Sequence, residues 1–222
     1  MYFEAEISTV IIFLLSIGLS IIISINFFRR RSKSLLFWST GLWFFSISSA
    51  IEIVFAFGIF SGILIRAYLF LVAILVEFLA LGSVALLNNR RVYASYFYFN
   101  IAADILLIFS LSLTNVGDIL THGVVFGPLP ILVTIASSIV TFPAAVLLVL
   151  ISAISYRKTL NKKLLSIIAG VIVVSVAGTL YIAAFPSFLY YAELAGIVLL
   201  WLGFVDFKSL SGTTVIKSHN TI

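Results

Sequence analysis

Long apolar runs dominate this sequence and constrain its fold more than any other feature. Only short polar segments separate the runs, and each is about 20 residues long, the length at which a helix crosses the hydrocarbon core of a bilayer. Only 9% of the residues are charged, whereas soluble domains average about 25%. We therefore predict an all-α membrane protein, a single seven-helix transmembrane bundle over 1–206 with a short cytoplasmic tail at 207–222. The predicted spans are 7–28, 35–58, 62–87, 92–114, 130–155, 164–185 and 187–206.

The basic residues indicate the orientation of the bundle. Of 13 Lys and Arg, 12 fall in the segments 29–33, 90–91 and 157–163 or in the tail at Lys208 and Lys217. With seven spans, all of these positions lie on one face, which the positive-inside rule makes cytoplasmic. We expect a multi-pass protein of the plasma membrane with its N-terminus outside and its C-terminus inside. The net charge of +5 then reflects topology and contact with anionic lipids, not nucleic-acid binding.

Two segments of the chain resemble each other. The segments KSLLFWSTGLWFFS (33–46) and KKLLSIIAGVIVVS (162–175) align without gaps, and both follow a basic loop. Matched residues include Gly41 with Gly170. The similarity predicts a weak 3+1+3 repeat with two parallel halves, a pattern found in some transporters.

Glu77 and Asp104 are predicted to lie deep in the membrane. At about 1.5 Å per residue, Glu77 is roughly 15 Å from the predicted inner end of its helix, and Asp104 lies about as far into the next one. Two carboxyl groups at matched depth could meet and share a proton, with Asn100 one turn away. The alternative interpretation is a protonated acid that joins two helices and only stabilises them.

A second polar group is predicted toward the outer face. Arg66 lies about one turn inside its helix, and Glu52 and Glu193 lie in the outer parts of theirs. Charged groups in lipid pair with one another or line water, so we expect a cluster of these side chains around an outward polar pocket. Alternatively, the Arg66 side chain simply extends to the headgroups.

The fifth predicted helix has a stripe of hydroxyl groups. Thr134, Ser137, Ser138 and Thr141 follow a spacing that puts them on one helical face, and Pro143 comes directly after. Proline removes a backbone hydrogen bond and allows a kink. These residues are candidates for lining a cavity, although small hydroxyl residues more often permit close helix packing.

The chemical inventory argues against an enzyme and against cofactors. The chain has no cysteine, and its two histidines lie in a predicted outer loop and in the tail, at His122 and His219. We therefore expect no haem or zinc ligand set. The last predicted span has no lysine, so we expect no covalently bound retinal. The absence of glutamine and the single methionine are typical of proteins from hot environments.

The segments FWSTGLWFFSISSAIE (37–52) and RAYLFLVAILVEFLALGSVALL (66–87) resemble prokaryotic seven-helix membrane proteins and the membrane-embedded sensor regions that precede signalling kinases. Together with the outward polar pocket expected around Glu52, Arg66 and Glu193, this resemblance favours a non-enzymatic seven-helix sensor or small-ligand-binding module. Two alternatives stay open: a small proton-coupled transporter that uses Glu77 and Asp104, and a structural or accessory subunit of a larger membrane complex. Membrane lipids are expected partners, together with other proteins or further copies of this chain.

Overall fold

The structure is a computed structural model. It describes residues 2–116, 120–121, 124–125, 129–160, 163, 165–170, 172–173 and 186–205. Several predictions fall outside the described residues. These are the second half of the span 164–185, the tail 207–222, both histidines, and the repeat positions 162, 164, 171, 174 and 175.

The described residues are almost entirely helical, which confirms the predicted all-helical class. Five helices occupy the first 160 residues: α1 (Tyr2–Arg30), α2 (Lys33–Ala56), α3 (Gly62–Leu86), α4 (Arg90–Leu113) and α5 (Ile131–Thr159). The described residues 163, 165–170 and 172–173 are also helical and are called α6, and α7 is Pro186–Phe204. Between α4 and α5, the two-residue strands β1 (Leu120–Thr121) and β2 (Val124–Val125) pair antiparallel.

Five of these helices are long and apolar enough to cross a membrane. They are Ser8–Arg30 within α1, all of α2, α3 and α4, and Ile131–Lys158 within α5. The apolar part of α7, Tyr191–Phe204, is shorter. Lengths and compositions of this kind are typical of helical membrane proteins, and the count of seven spans stays a prediction.

Polar side chains and a left-handed residue set the boundaries of α3 and α4. The Ser61 hydroxyl accepts a hydrogen bond from Leu64 N at 3.2 Å and caps α3. The Asn89 side chain caps α4 by accepting from Arg91 N and Val92 N. Asn88, just before this cap, has a φ of 51°, the left-handed conformation that ends a helix. The chain therefore turns back sharply between α3 and α4.

Helix α3 is the centre of the bundle, since it packs against α2, α4 and α5, whereas α1 packs against α2 and α7. The contact between α2 and α3 is close. A Cβ atom on Gly82 would collide with the Trp38 ring and lie 2.9 Å from Ser34 O. The Trp38 indole donates to Leu79 O at 3.0 Å, and the Ser34 hydroxyl donates to Gly82 O at 2.7 Å. Small residues and side-chain donors thus fix the position of α3.

The outer surface of the bundle is apolar. Large side chains such as Leu14, Ile105, Phe109 and Leu113 are each about 60% exposed. In water such a surface would drive aggregation, but hydrocarbon solvates it. The described surface therefore agrees with the membrane class that the composition predicts.

Candidate functional site

Glu77 and Asp104 approach each other between α3 and α4. Glu77 is 2% exposed, and the side chains of Asp104 and Asn100 both approach its carboxyl group. Asn100 lies one turn before Asp104 on α4 and is also buried. The structure therefore brings together three of the residues singled out from the sequence. Their role in proton or ligand binding stays a prediction.

Several polar atoms at this site have no hydrogen-bond partner among the described residues. They are Glu77 Oε2, Asp104 Oδ1, Asn100 Nδ2 and Tyr96 Oη. Each buried and unpaired polar group costs about 1–3 kcal/mol. Two ionised carboxylates hold only acceptors, so neither can donate to the other. A single proton on the Glu77–Asp104 pair would supply a donor where the acceptors lack one.

Tyr96 belongs to this site but was missed in the sequence analysis. It is buried on α4, one turn before Asn100 and two turns before Asp104. The spacing of four residues puts all three side chains on one helical face. That spacing is readable in the sequence and could have identified the tyrosine.

A second pair of buried carboxyl groups lies near the C-terminal end of α2 and in the N-terminal half of α7. Glu52 is 8% and Glu193 is 7% exposed, and the two carboxyl groups are close enough for their charges to interact. The Tyr68 hydroxyl, from α3, donates to Glu52 Oε1 at 2.5 Å. In the described part of the chain, Glu52 Oε2 and Glu193 Oε2 have no hydrogen-bond partner. Tyr68 is thus a further polar residue of the site that the sequence analysis missed.

Arg66 does not join this second pair, contrary to the expected cluster. Its Nε donates to Leu111 O at 2.9 Å, and its Nη2 donates to Thr114 O at 3.2 Å. These carbonyl groups are at the C-terminal end of α4, where unpaired carbonyls give the helix a partial negative charge. The arginine therefore caps α4, and the predicted ion pairs with Glu52 and Glu193 are replaced by bonds to backbone oxygen.

The hydroxyl stripe of α5 bonds mainly to its own helix. The Ser137 hydroxyl donates to Thr134 O at 3.2 Å, and the Thr141 hydroxyl donates to Ser137 O at 2.9 Å. The helix continues through Pro143 without a break. An open groove of about 550 Å³ on the outer surface is lined by Phe99, Thr134, Ile135, Ser138, Ile139, Phe142 and Pro143. Three of the five candidate residues, Thr134, Ser138 and Pro143, therefore line a groove on the outer surface of the bundle. Neither carboxyl pair contributes to this groove.

The fold and these pairs define the class: a helical protein with membrane-length helices and ionisable groups buried between them. The chain matches no protein-family model, no curated protein and no solved structure. The chemistry of the two carboxyl pairs is therefore the best indication of its function.

Proposed function

We propose that the protein is a multi-pass plasma-membrane carrier that couples the movement of a small solute to a proton held by Glu77 and Asp104. The observation that carries this proposal is the approach of two buried carboxyl groups whose neighbouring polar atoms lack partners. Both residues are at least nine positions from either end of their helices. Each therefore lies at least about 13 Å from a helix end along the axis.

A carboxyl pair at this depth suits proton coupling. Each ionised group near the bilayer centre costs on the order of 3 kcal/mol on insertion scales. Binding or release of one proton therefore changes the free-energy difference between conformations that bury the pair and conformations that expose it to water. Ionisable residues inside membrane helices are typical of proton relays in pumps and transporters. The protein is non-enzymatic in this proposal.

The proposal includes seven spans, an outer N-terminus and an inner C-terminus. The turn between α1 and α2 includes Arg31, the turn between α3 and α4 is followed by Arg90 and Arg91, and α5 ends with Arg157 and Lys158. If α1 to α5 each cross the membrane, all three positions lie on the same face. Concentration of positive charge on one face supports a cytoplasmic location for it.

The proposal also includes two three-helix repeats, α1–α3 and α5–α7, joined by α4. The turns after α1 and α5 support it. Arg31 has a φ of 50° and donates its N–H to Phe27 O at 2.7 Å, and Leu160 has a φ of 51° and donates to Tyr156 O at 2.7 Å. Arg31 and Leu160 are 129 positions apart, the same separation as Gly41 and Gly170.

Close helix contacts give independent support for the repeat. A Cβ on Gly82 would lie 2.9 Å from Ser34 O, and a Cβ on Gly203 would lie 3.1 Å from Lys163 O. Ser34 and Lys163 differ by 129 positions, and the two glycines by 121. The α2–α3 contact is therefore matched by the α6–α7 contact in the same register. The equivalent positions are Ser34 and Lys163, Trp38 and Ile167, Gly41 and Gly170, Leu75 and Gly196, Phe78 and Leu199, Leu79 and Leu200, and Gly82 and Gly203.

Proton coupling can be tested in proteoliposomes that contain a pH-sensitive dye. A panel of sugars, amino acids, nucleosides and alkali-metal salts is added outside, and the internal pH is followed. We expect at least one compound to change the internal pH with the wild-type protein. The variants Glu77→Gln and Asp104→Asn should abolish that response, because an amide cannot take up or release the proton.

Asn100→Leu is the matched control, because it changes a neighbour of the pair but leaves both carboxyl groups. It should reduce the response less than either carboxyl substitution does. A response that survives in both Glu77→Gln and Asp104→Asn would contradict the proposal, as would a wild-type protein that responds to none of the compounds.

A ligand-binding module with an outward pocket is the second candidate function. The observation that favours it is the Glu52–Glu193 pair, which the proposed orientation puts near the outer face. A ligand that binds the folded state raises its stability by mass action. A cationic compound from the same panel should therefore raise the melting temperature of the wild type but not of Glu193→Gln. A role as a subunit of a larger complex predicts co-purifying proteins in fixed stoichiometry.

A further inference from the structure

Glu52 and Glu193 lie on different repeats. Glu52 is on α2 in the first repeat, and Glu193 is on α7 in the second. Helix α1 packs against both of these helices. The two carboxyl groups, whose charges are close enough to interact, therefore belong to different proposed repeats, whereas Glu77 and Asp104 belong to the first repeat and the linking helix α4.

Three buried polar atoms at this junction have no hydrogen-bond partner among the described residues. Two are Glu52 Oε2 and Glu193 Oε2. The third is Ser49 Oγ, on a side chain that is 1% exposed and one turn before Glu52 on the same face of α2. Buried polar groups without partners are unusual in native structures. One added donor between the carboxyl groups would reduce this deficit, and a proton is the smallest such donor.

The surroundings offer little compensation for two negative charges. Among the described side chains of α1, α3 and α7 toward this end, the titratable or charged groups are Tyr68, Arg66 and Tyr191. Tyr68 already donates to Glu52, and Arg66 donates to the end of α4. Tyr191 is 59% exposed. Ionisation of both carboxyl groups would leave two like charges that no cation balances in the described part of the chain.

We propose that Glu52 and Glu193 form a proton-operated outer gate between the two repeats. With one proton on the pair, an O–H of one carboxyl group bonds to the other, and the outer ends of α2 and α7 stay together. When that proton leaves to the outer solvent, the two carboxylates repel each other and water enters between the repeats. This inference depends on the seven spans and the orientation of the proposed function.

The natural absence of cysteine allows a direct test by labelling. Ser49→Cys adds a thiol of similar size beneath the gate, and Phe57→Cys adds one just after α2, where Phe57 is 77% exposed. Intact cells that express each variant are treated with a membrane-impermeant maleimide in acidic and in alkaline buffer. The labelling rate of Ser49→Cys is divided by that of Phe57→Cys, which corrects for the ionisation of thiols.

We expect the corrected rate at Ser49→Cys to be at least about tenfold higher in alkaline than in acidic buffer, because deprotonation shifts the population toward the open gate. In alkaline buffer, addition of Glu193→Gln should lower this rate to the acidic level. The amide N–H₂ supplies a permanent donor to Glu52 and so replaces the proton. Glu52→Gln should have the same effect from the other side.

Equal labelling with and without Glu193→Gln would overturn the gate, and so would a Ser49→Cys thiol that stays unlabelled in both buffers. Ile197→Cys, buried on α7 one turn deeper than Glu193, provides a second reporter if Ser49→Cys does not fold. Failure of Phe57→Cys to label from outside would contradict the proposed orientation instead. The two failures are therefore distinguishable.

Discussion

Helix α3 makes two buried contacts whose polar groups differ in hydrogen bonding. One is the inner part of the α2–α3 contact, around Ser34 and Gly82, and the other is the centre of the α3–α4 contact, around Glu77 and Asp104. At the inner part, the hydroxyls of Ser34 and Ser83 and the indole of Trp38 each donate to a backbone carbonyl at 2.7–3.0 Å. At the centre, Glu77 Oε2 and Asp104 Oδ1 accept no hydrogen bond in the described structure.

Under the proposed function, this difference separates polar groups that serve helix packing from polar groups that bind a proton. A buried polar group that serves packing finds its partner within the protein, because an unpaired group in an apolar interior costs free energy. A group that binds and releases a proton cannot be fully paired in every state. Helix α3 has both hydrogen-bonded and unpaired buried polar groups along its length, so burial alone does not identify a site. Five substitutions test this comparison and the proposed repeat.

Gly82→Ala should have the largest effect on stability. The added Cβ would collide with the Trp38 ring and crowd the Ser34 carbonyl, so α2 and α3 must move apart. We expect a loss of about 2–3 kcal/mol in the free energy of unfolding, as for other overpacked contacts. Denaturant titration in detergent micelles measures it. Gly62→Ala is the control, since among the described residues its Cβ would meet only the Arg66 guanidinium, at 3.7 Å.

The proposed repeat predicts a second result in the same denaturant titration. Gly203→Ala should cost about as much as Gly82→Ala, because its Cβ would meet Ile167 and Lys163 O in the equivalent way. Equal free energies of unfolding for Gly82→Ala and Gly62→Ala would contradict the close contact between α2 and α3.

Arg66→Met should have the second largest effect. It removes two charge-assisted hydrogen bonds to Leu111 O and Thr114 O, and we expect a loss of about 2 kcal/mol. Because Arg66 does not bond to Glu52, the effects of Arg66→Met and Glu52→Gln should add within about 0.5 kcal/mol. A double variant that is clearly more stable than the sum predicts would restore the ion pair that was expected from the sequence.

Trp38→Phe should have a smaller effect, because it keeps an aromatic ring and removes the donor to Leu79 O. We expect a loss of about 1 kcal/mol by the same unfolding titration. Trp43→Phe is the matched control. Its indole donates to the Ser24 hydroxyl on the outer surface and not to a backbone carbonyl between packed helices, so its loss should be smaller than that of Trp38→Phe. Similar losses for the two variants would argue that the buried donor has no special role.

Glu77→Gln should have the smallest effect on stability. The amide supplies a permanent donor to Asp104 and removes a titratable group, so the free energy of unfolding should change by less than about 0.5 kcal/mol or rise. Unfolding titrations at several pH values measure it. A loss of about 2 kcal/mol or more would instead support the interpretation of Glu77 as a residue that only joins two helices.

The approach of Glu77 and Asp104 was predictable because a tight turn between antiparallel helices fixes relative depth. The turn at Asn88 and Asn89 is short, so counting residues from it at a fixed rise per residue gives the depth of each carboxyl group. The helical class was also predictable from the apolar runs, because length and composition are local properties of the sequence.

The contacts of Arg66 were not predictable in the same way. Its partners are the carbonyls of Leu111 and Thr114, and every residue has a carbonyl, so no residue type marks them. The hydroxyl stripe of α5 shows a related difficulty. The hydroxyl groups of Ser137 and Thr141 donate to carbonyl oxygens of their own helix. The spacing alone does not reveal whether such a face lines an interior cavity.

Infrared difference spectroscopy of the carboxyl groups, recorded between alkaline and acidic buffer, tests the shared proton most directly. Protonated carboxyl groups absorb separately from carboxylates, and Glu52→Gln, which alters only the other pair, is the reference. The account predicts a protonated-carboxyl band that disappears in both Glu77→Gln and Asp104→Asn and persists in Glu52→Gln. A band that stays unchanged in Glu77→Gln would contradict it.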